Sequence, residues 1–390
     1  MLENGEVVVR KPGAERVRRG HLWIYRSDIK DVRDVGPGGI CRVRDERGVS
    51  VGMAFYSSKS QIALRLLVRG DSRIDEKFFQ DRFDRADRFR ERLGVDPFLS
   101  RRIFSEGDLL PGLIVDRYSE RLVVQSLIQS TDRLQPLFSS IVSDRYHPRS
   151  ILFRNDSRVR ELEGLPLEQR VEGEALPQII TVNEDGKEIA VELTGGQKTG
   201  SYLDQRENHR AARKYASGKT LDAFCYAGGF SVQVSEKCDR VEAVDISGPA
   251  LELAKANAER NNLRNIDFVE ANAFDFLRQR FNENARYDTI ILDPPAFAKN
   301  RDSLEGALRG YKEINNRAMR LLRSGGILIT CSCSHHVPES LFAEMLADAA
   351  KDAGCWLRVI ERRMQSSDHP VLMAVPETHY LKCFILEIGS

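Results

Sequence analysis

Two cysteines, Cys331 and Cys333, lie in the run Thr330-Cys331-Ser332-Cys333-Ser334-His335-His336. A thiolate can add to carbon 6 of a pyrimidine and make carbon 5, otherwise a poor nucleophile, enolate-like. A free thiol with a pKa of about 8.5 is only a few per cent ionised at neutral pH, so such a site has to lower that pKa or deprotonate the thiol on binding. The alternative is that both cysteines are small buried hydrophobes. A metal site on Cys331, Cys333, His335 and His336 is disfavoured, because side chains of a Cys-x-Cys strand and of adjacent histidines point in opposing directions. A second run, Asp293-Pro294-Pro295-Ala296-Phe297, has two prolines that stiffen the turn by fixing φ. There Phe297 can stack on a nucleobase and Asp293 can bind the donor edge of cytosine or guanine. An ordinary Pro-Pro loop with Phe297 in the core is the bland alternative.

A cofactor site is expected upstream. The run Leu221-Asp222-Ala223-Phe224-Cys225-Tyr226-Ala227-Gly228-Gly229-Phe230-Ser231 reads as a strand turning into a helix, and Gly228 and Gly229 would let the backbone approach a ligand. Val241-Glu242-Ala243-Val244-Asp245 puts an acid at the end of the next strand, where a carboxylate can take both ribose hydroxyls of an adenosine-containing cofactor. The third strand ends in Glu270-Ala271-Asn272-Ala273-Phe274-Asp275, which could put a polar group beside adenine. NAD is the competitor, but the turn lacks Gly-x-Gly-x-x-Gly. Asp222 would repel a pyrophosphate, whereas it suits the sulfonium and amino group of S-adenosylmethionine.

These runs need a frame. After residue 188 strand candidates at 220–224, 240–244, 266–269, 287–292 and 326–330 alternate with helix candidates at 230–237, 249–262, 273–280, 304–323 and 338–353. That alternation predicts a parallel sheet covered on both faces. Residues 1–72 show short β-prone runs and Gly36-Pro37-Gly38-Gly39, the pattern of a small β-barrel. Residues 73–188 read as a mixed α/β middle domain. A helix at 75–93 carries Phe78, Phe79, Phe83, Ala86 and Phe89 at helical spacing. The expected architecture is therefore α/β, with a Rossmann-like catalytic domain at 189–390.

The 390 residues are 41% hydrophobic and 30% charged, with a net charge of +1, a globular composition that does not by itself announce a nucleic-acid partner. No run is long and apolar enough to predict a membrane helix, and Met1–Gly5 lacks a signal-peptide pattern. Seven cysteines, an odd number without zinc spacing, fit a reduced, cytoplasmic protein. Arg16, Arg18 and Arg19 with Arg10 and Lys11, and separately Arg101 with Arg102, form basic clusters whose simplest reading is a solvated face.

The chain resembles the bacterial 23S ribosomal RNA cytosine-5 methyltransferases with an N-terminal PUA domain. The matching residues are the run Gly195 to Asn208 (Gly-Gly-Gln-Lys-Thr-Gly-Ser-Tyr-Leu-Asp-Gln-Arg-Glu-Asn), the turn from Asp222 to Phe230, Asp293-Pro294-Pro295-Ala296-Phe297 and Cys331-Ser332-Cys333-Ser334. Further matches are Ser367-Asp368-His369-Pro370, Tyr380-Leu381-Lys382, Gly107 to Asp116, and Arg19-Gly20-His21-Leu22-Trp23-Ile24-Tyr25. The resemblance spans essentially the whole chain, and its Gln-Lys-Thr-Gly run is the most specific of these motifs. It implies a class I methyltransferase domain at 189–390, preceded by a PUA-like domain at 1–72 and the middle domain at 73–188. It implies that Cys333 is the attacking thiol and that Asp293 contacts the base. Strand alternation does not separate Cys333 from Cys331, since both would point the same way. S-adenosylmethionine is implied to lie among Asp222, Phe224, Gly228, Phe230, Asp245, Asn272, Ala273 and Asp293, with the segment holding Gln197, Lys198, Gln205 and Arg206 folded over it. The base would meet Phe297, and RNA would meet Arg16, Arg19 and His21. The middle domain would shape the RNA cleft or support a homodimer. Two other functions remain open on the residues: methylation of a purine nitrogen without a thiol, and a non-catalytic RNA-binding assembly factor.

Overall fold

The computed structural model describes residues 5–196, 199–298 and 303–389. The chain forms two compact units, Met1–Ile180 with Val191–Leu203 and Ser367–Thr378, and Thr181–Ala190 with Asp204–Ser366 and His379–Ser390.

In the first unit one sheet runs Trp23–Tyr25, Ile62–Arg69, Ser50–Tyr56, Ile40–Asp45, Glu6–Val9, Ile29–Arg33 in spatial order. Alternation decides its faces: Val7 and Val9 are buried and join Val17, Ile24, Val43 and Leu64 in one core. A helix at Lys11–Arg18, with Pro12 in its first turn, interrupts the β pattern read from the sequence. A second sheet runs Glu168–Gly173, Ser150–Asn155, Arg121–Ser126, Leu113–Tyr118, Leu99–Phe104.

The helix Glu76–Arg92 starts where the Asp75 side chain accepts the Phe78 N–H at 3.1 Å. Its Phe79, Phe83 and Ala86 are buried, each phenylalanine stabilising by about 1.5–3 kcal/mol, while Phe89 is exposed. The same helix buries charge. Arg90, fully buried, meets Asp108 through Nη1 at 3.0 Å and Nη2 at 2.8 Å and donates to the Asp368 carbonyl at 2.7 Å. Removing one partner of such a pair leaves an uncompensated buried charge, so Arg90→Met is expected to lower the unfolding free energy by about 3–5 kcal/mol in urea titration. A loss below about 1 kcal/mol would contradict the paired geometry.

The second basic cluster is corrected by the structure. Arg101 binds Asp116 through two bonds of 2.7 Å, and Arg102 pairs with Asp87. They sit on the strand Leu99–Phe104 as internal pairs, where the sequence suggested a solvated face.

The second unit is built on seven strands: β1 (Gly218–Ala223), β2 (Cys238–Asp245), β3 (Ile266–Glu270), β4 (Tyr287–Leu292), β5 (Leu322–Ser332), β6 (Trp356–Met364) and β7 (Lys382–Gly389). Their spatial order is β3-β2-β1-β4-β5-β7-β6. The first five are parallel, and β7 runs antiparallel to both β5 and β6. The helices are α1 (Arg206–Tyr215), α2 (Gly229–Val234), α3 (Gly248–Arg260), α4 (Ala273–Asn282), α5 (Leu304–Leu321) and α6 (Glu339–Ala353). The central strands are buried apolar runs such as Ile290-Ile291-Leu292, as a sheet covered on both faces requires. No described helix is long and apolar enough to cross a membrane.

Candidate active site at the carboxyl edge of the sheet

Register brings the predicted runs together. Ala223 of β1 lies opposite Val244 of β2 and Leu292 of β4, and Leu292 lies opposite Thr330 of β5. The segments that follow these residues therefore leave the sheet along one edge, where strand order reverses between β1 and β4. In open α/β sheets that edge is where ligands bind.

The β1–α2 turn is strained. Phe224 (φ 67°) and Tyr226 (φ 49°) are left-handed without being glycine, and Gly228 follows at φ 79°. Strain of this kind is kept at ligand sites when the surroundings hold it. Here the Tyr226 N–H donates to Asp245 at 2.9 Å, and the Ser247 N–H donates to the other Asp245 oxygen at 2.9 Å. Gly229 is required by contact: a Cβ there would come within 2.5 Å of the His209 ring.

Asp222 is fully buried near the end of β1. One oxygen accepts the Ser231 N–H at 3.0 Å and hydroxyl at 2.6 Å; the other, Oδ1, has no partner among the described residues. Burial pushes this carboxyl up to about 7, neighbouring Asp293 adds to the rise, and the Ser231 bonds oppose it. An orphaned buried carboxylate oxygen is a site for a cationic donor, and the amino group of S-adenosylmethionine has that chemistry. Bound there, such a group would favour the carboxylate and take a proton off Asp222. Cofactor affinity is accordingly expected to rise as pH goes from about 6 to 7.5, with proton release seen by calorimetry in buffers of different ionisation enthalpy. Flat affinity over that interval would contradict a carboxyl near 7.

Asn272 caps α4, its oxygen accepting the Phe274 N–H at 2.9 Å, which leaves its amide donors for a ligand. Ala273 is buried at the first turn of α4. Phe297 is half-buried, 4.6 Å from the Tyr311 ring and 5.8 Å from that of Phe274; Phe224 stands 6.5 Å from Phe297. These rings form an aromatic wall beside Asp293, whose N–H donates to the Ala223 carbonyl at 3.4 Å.

The two cysteines part company at the end of β5. Cys331 is in the strand, opposite Cys383, and fully buried. Burial drives its thiol well above the ordinary range, and Cys383 adds to the rise. Cys333 lies past Ser332, the last residue of the strand, is half-exposed, and its Sγ is 3.9 Å from the Pro294 carbonyl oxygen of the Asp-Pro-Pro turn. Ser334 locks this junction, accepting the Ala298 N–H at 3.2 Å and sharing a hydrogen bond with the Tyr311 hydroxyl at 3.0 Å.

Of the other predicted residues, Gln205 and Arg206 are buried where α1 begins, with Gln205 accepting from Asn208 at 2.7 Å. Phe230 is buried against His209, ring centroids 4.4 Å apart. Gln197 and Lys198 lie outside the described residues. In the first unit Arg16 binds Asp28 at 2.8 Å, His21 meets Glu377 at 3.1 Å, and Arg19 is exposed. The sequence reading missed His209. Its Nδ1 is 2.7 Å from Glu184, and although burial opposes the charge, Glu184, with Asp293 and Asp222 beyond it, raises its pKa. The signal available was a histidine directly after the Gln-Arg-Glu-Asn run.

Sheet order, strained glycine turn and orphaned acid define an α/β fold that holds an adenosine-type cofactor at its strand ends. A family model described as S-adenosylmethionine-dependent methyltransferase matches residues 125–383, and a PUA-like domain model matches residues 7–69. The chain belongs to the S-adenosylmethionine-dependent methyltransferase family. Among its relatives, the ribosomal RNA large subunit methyltransferases I of Yersinia pseudotuberculosis and Yersinia pestis are each 38% identical over 98% of this chain and 99% of theirs. A methyltransferase-type structure solved with S-adenosylhomocysteine superimposes with a TM-score of 0.85 at 18% identity, covering 99% of this chain and all of the other. One from Streptococcus mutans gives 0.83 at the same identity and coverage. At that identity these two bear on the fold. The cofactor is S-adenosylmethionine.

Proposed function

We propose that the protein methylates carbon 5 of a cytosine in 23S ribosomal RNA through a transient bond between Cys333 and carbon 6. The observation that carries this reading is the placement of Cys333: half-exposed, beyond the end of β5, against the Asp-Pro-Pro turn, while Cys331 is buried. The ribosomal RNA substrate is supported by the relatives' names and the PUA-like domain, and a cytoplasmic location accords with that substrate.

The Cys333 thiolate gives its electron pair to carbon 6, and the pair of the 5,6 double bond moves onto carbon 5. S-adenosylmethionine, when bound, would supply the electrophilic methyl group that carbon 5 takes up, its sulfonium sulfur keeping the electron pair of the bond that breaks. A base, water among the candidates, then removes the carbon 5 proton; that electron pair restores the double bond and the thiolate leaves. Asp293 holds the donor edge of the base and Phe297 stacks on it. Asp222 receives the cofactor's amino group, and Asp245 the ribose hydroxyls. Asn272 and Ala273 border the adenine, and Gln205 and Arg206 cover the cofactor. Arg19, with Arg16 and His21, contacts RNA from a domain at 1–72, and the middle domain at 73–188 shapes the cleft or supports a homodimer.

The test is methyl transfer from labelled cofactor to ribosomal RNA, followed by nucleoside analysis. Label in 5-methylcytidine supports the reading; label in a methylated purine replaces it with direct attack by a ring nitrogen.

A further inference from the structure

Lys382 opens β7 and is 2% exposed, a rare position for an ammonium group. Its Nζ donates to the carbonyls of Ser334 at 2.7 Å and Tyr380 at 2.8 Å. That accounts for two of its three N–H donors, and both acceptors are neutral. A buried cation with no carboxylate in hydrogen-bond contact among the described residues is costly, and such groups are retained where their charge has a use.

Position says what that use is. Ser334 directly follows Cys333, so the ammonium is tied to the backbone beside the thiol that emerges at the end of β5. Its charge faces Cys333 and, from the start of α6, Glu339; burial lowers its pKa to about 8. Glu339 also lies 4.0 Å from Arg362 of β6. Around the thiol there also stand the Tyr311 hydroxyl from α5, kept neutral by burial, the Pro294 carbonyl, and Asp293 just before it. His335 packs on the Tyr380 ring, 5.4 Å between centroids. The carbonyl and the carboxylate disfavour a negative sulfur, and Lys382 favours one.

We propose that Lys382 is a positioning residue whose buried charge holds Cys333 as a thiolate. The proposal rests on the covalent reading above. The thiol proton leaves to solvent on the exposed side, and sulfur keeps the electron pair that bonds to carbon 6.

The experiment is alkylation of the intact protein with iodoacetamide across a pH series, followed at the Cys333 peptide by mass spectrometry. In Lys382→Met the Cys333 rate at pH 7 is expected to fall about tenfold, with its midpoint moving to higher pH and the rates converging in alkali. Lys382→Arg keeps the charge and is expected to stay near wild type. An unchanged midpoint in Lys382→Met overturns the proposal, since a purely structural tie would alter accessibility at all pH values alike. Should Lys382→Met fail to fold, wild type decides: a Cys333 midpoint no lower in the folded protein than in urea also overturns it. Full methyl transfer by Cys333→Ala would remove the covalent reading while leaving the alkylation result intact, so the two fail separately.

Discussion

Cys333→Ala is expected to lose methyl transfer by at least about 10³-fold while binding S-adenosylmethionine within about twofold of wild type. The split follows from geometry. Asp222, Asp245 and the β1–α2 turn make their hydrogen bonds without Cys333, whose Sγ lies against the Pro294 carbonyl. Cys331→Ala is the control: buried opposite Cys383, it has packing to lose, not a reacting sulfur. It should cost stability and keep turnover per folded molecule. Single-turnover assays with calorimetric affinities separate the two, and an inactive Cys331→Ala beside an active Cys333→Ala would reverse the assignment.

Asp222→Asn is expected to weaken cofactor binding by about 100-fold, because a charge-assisted hydrogen bond in a buried site is replaced by an amide facing a cation. The same substitution should make the cofactor-free protein more stable at pH 8. The sign follows from the raised carboxyl. Asp222 titrates near 7 when folded and near 3.9 when unfolded, so the favourable protonated form is lost as pH rises through about 7. Asparagine stays neutral and still accepts from Ser231, so a gain of about 1 kcal/mol at pH 8, vanishing near pH 4, is expected in urea titration. Unchanged cofactor affinity would contradict the placement of the amino group.

The parallel half was legible because buried central strands are apolar runs with polar residues at or near their ends: Leu221-Asp222, Val244-Asp245 and Leu292-Asp293 each mark a strand end and a candidate site position at once. What escaped reading has physical reasons. The helix Lys11–Arg18 contains Pro12 and Gly13 amid charges, and α1 is nearly all polar, so neither shows an apolar face strong enough to register. The edge strand Glu168–Gly173 is mostly exposed and has no buried face to impose alternation. The Arg101–Asp116 and Arg102–Asp87 pairs join residues of separate elements, and in sequence each arginine looks like surface charge. Alternation could not divide Cys331 from Cys333 because it holds only inside a strand, and β5 stops at Ser332. His209 and Lys382 gain meaning only from what tertiary folding sets beside them, Gly229 and Glu184 for one, Ser334 and Cys333 for the other.

The central claim is a bond between Cys333 and carbon 6, and it can be caught. With RNA in which the target cytosine is 5-fluorocytosine, fluorine occupies the place of the proton that must leave, so the thiolate cannot be expelled after methyl transfer. Incubation with S-adenosylmethionine followed by protease digestion and mass spectrometry should yield the Cys333 peptide carrying a methylated fluoropyrimidine nucleotide, absent in Cys333→Ala. An adduct on Cys331, or no adduct from an enzyme that methylates unmodified RNA under the same conditions, would contradict the account.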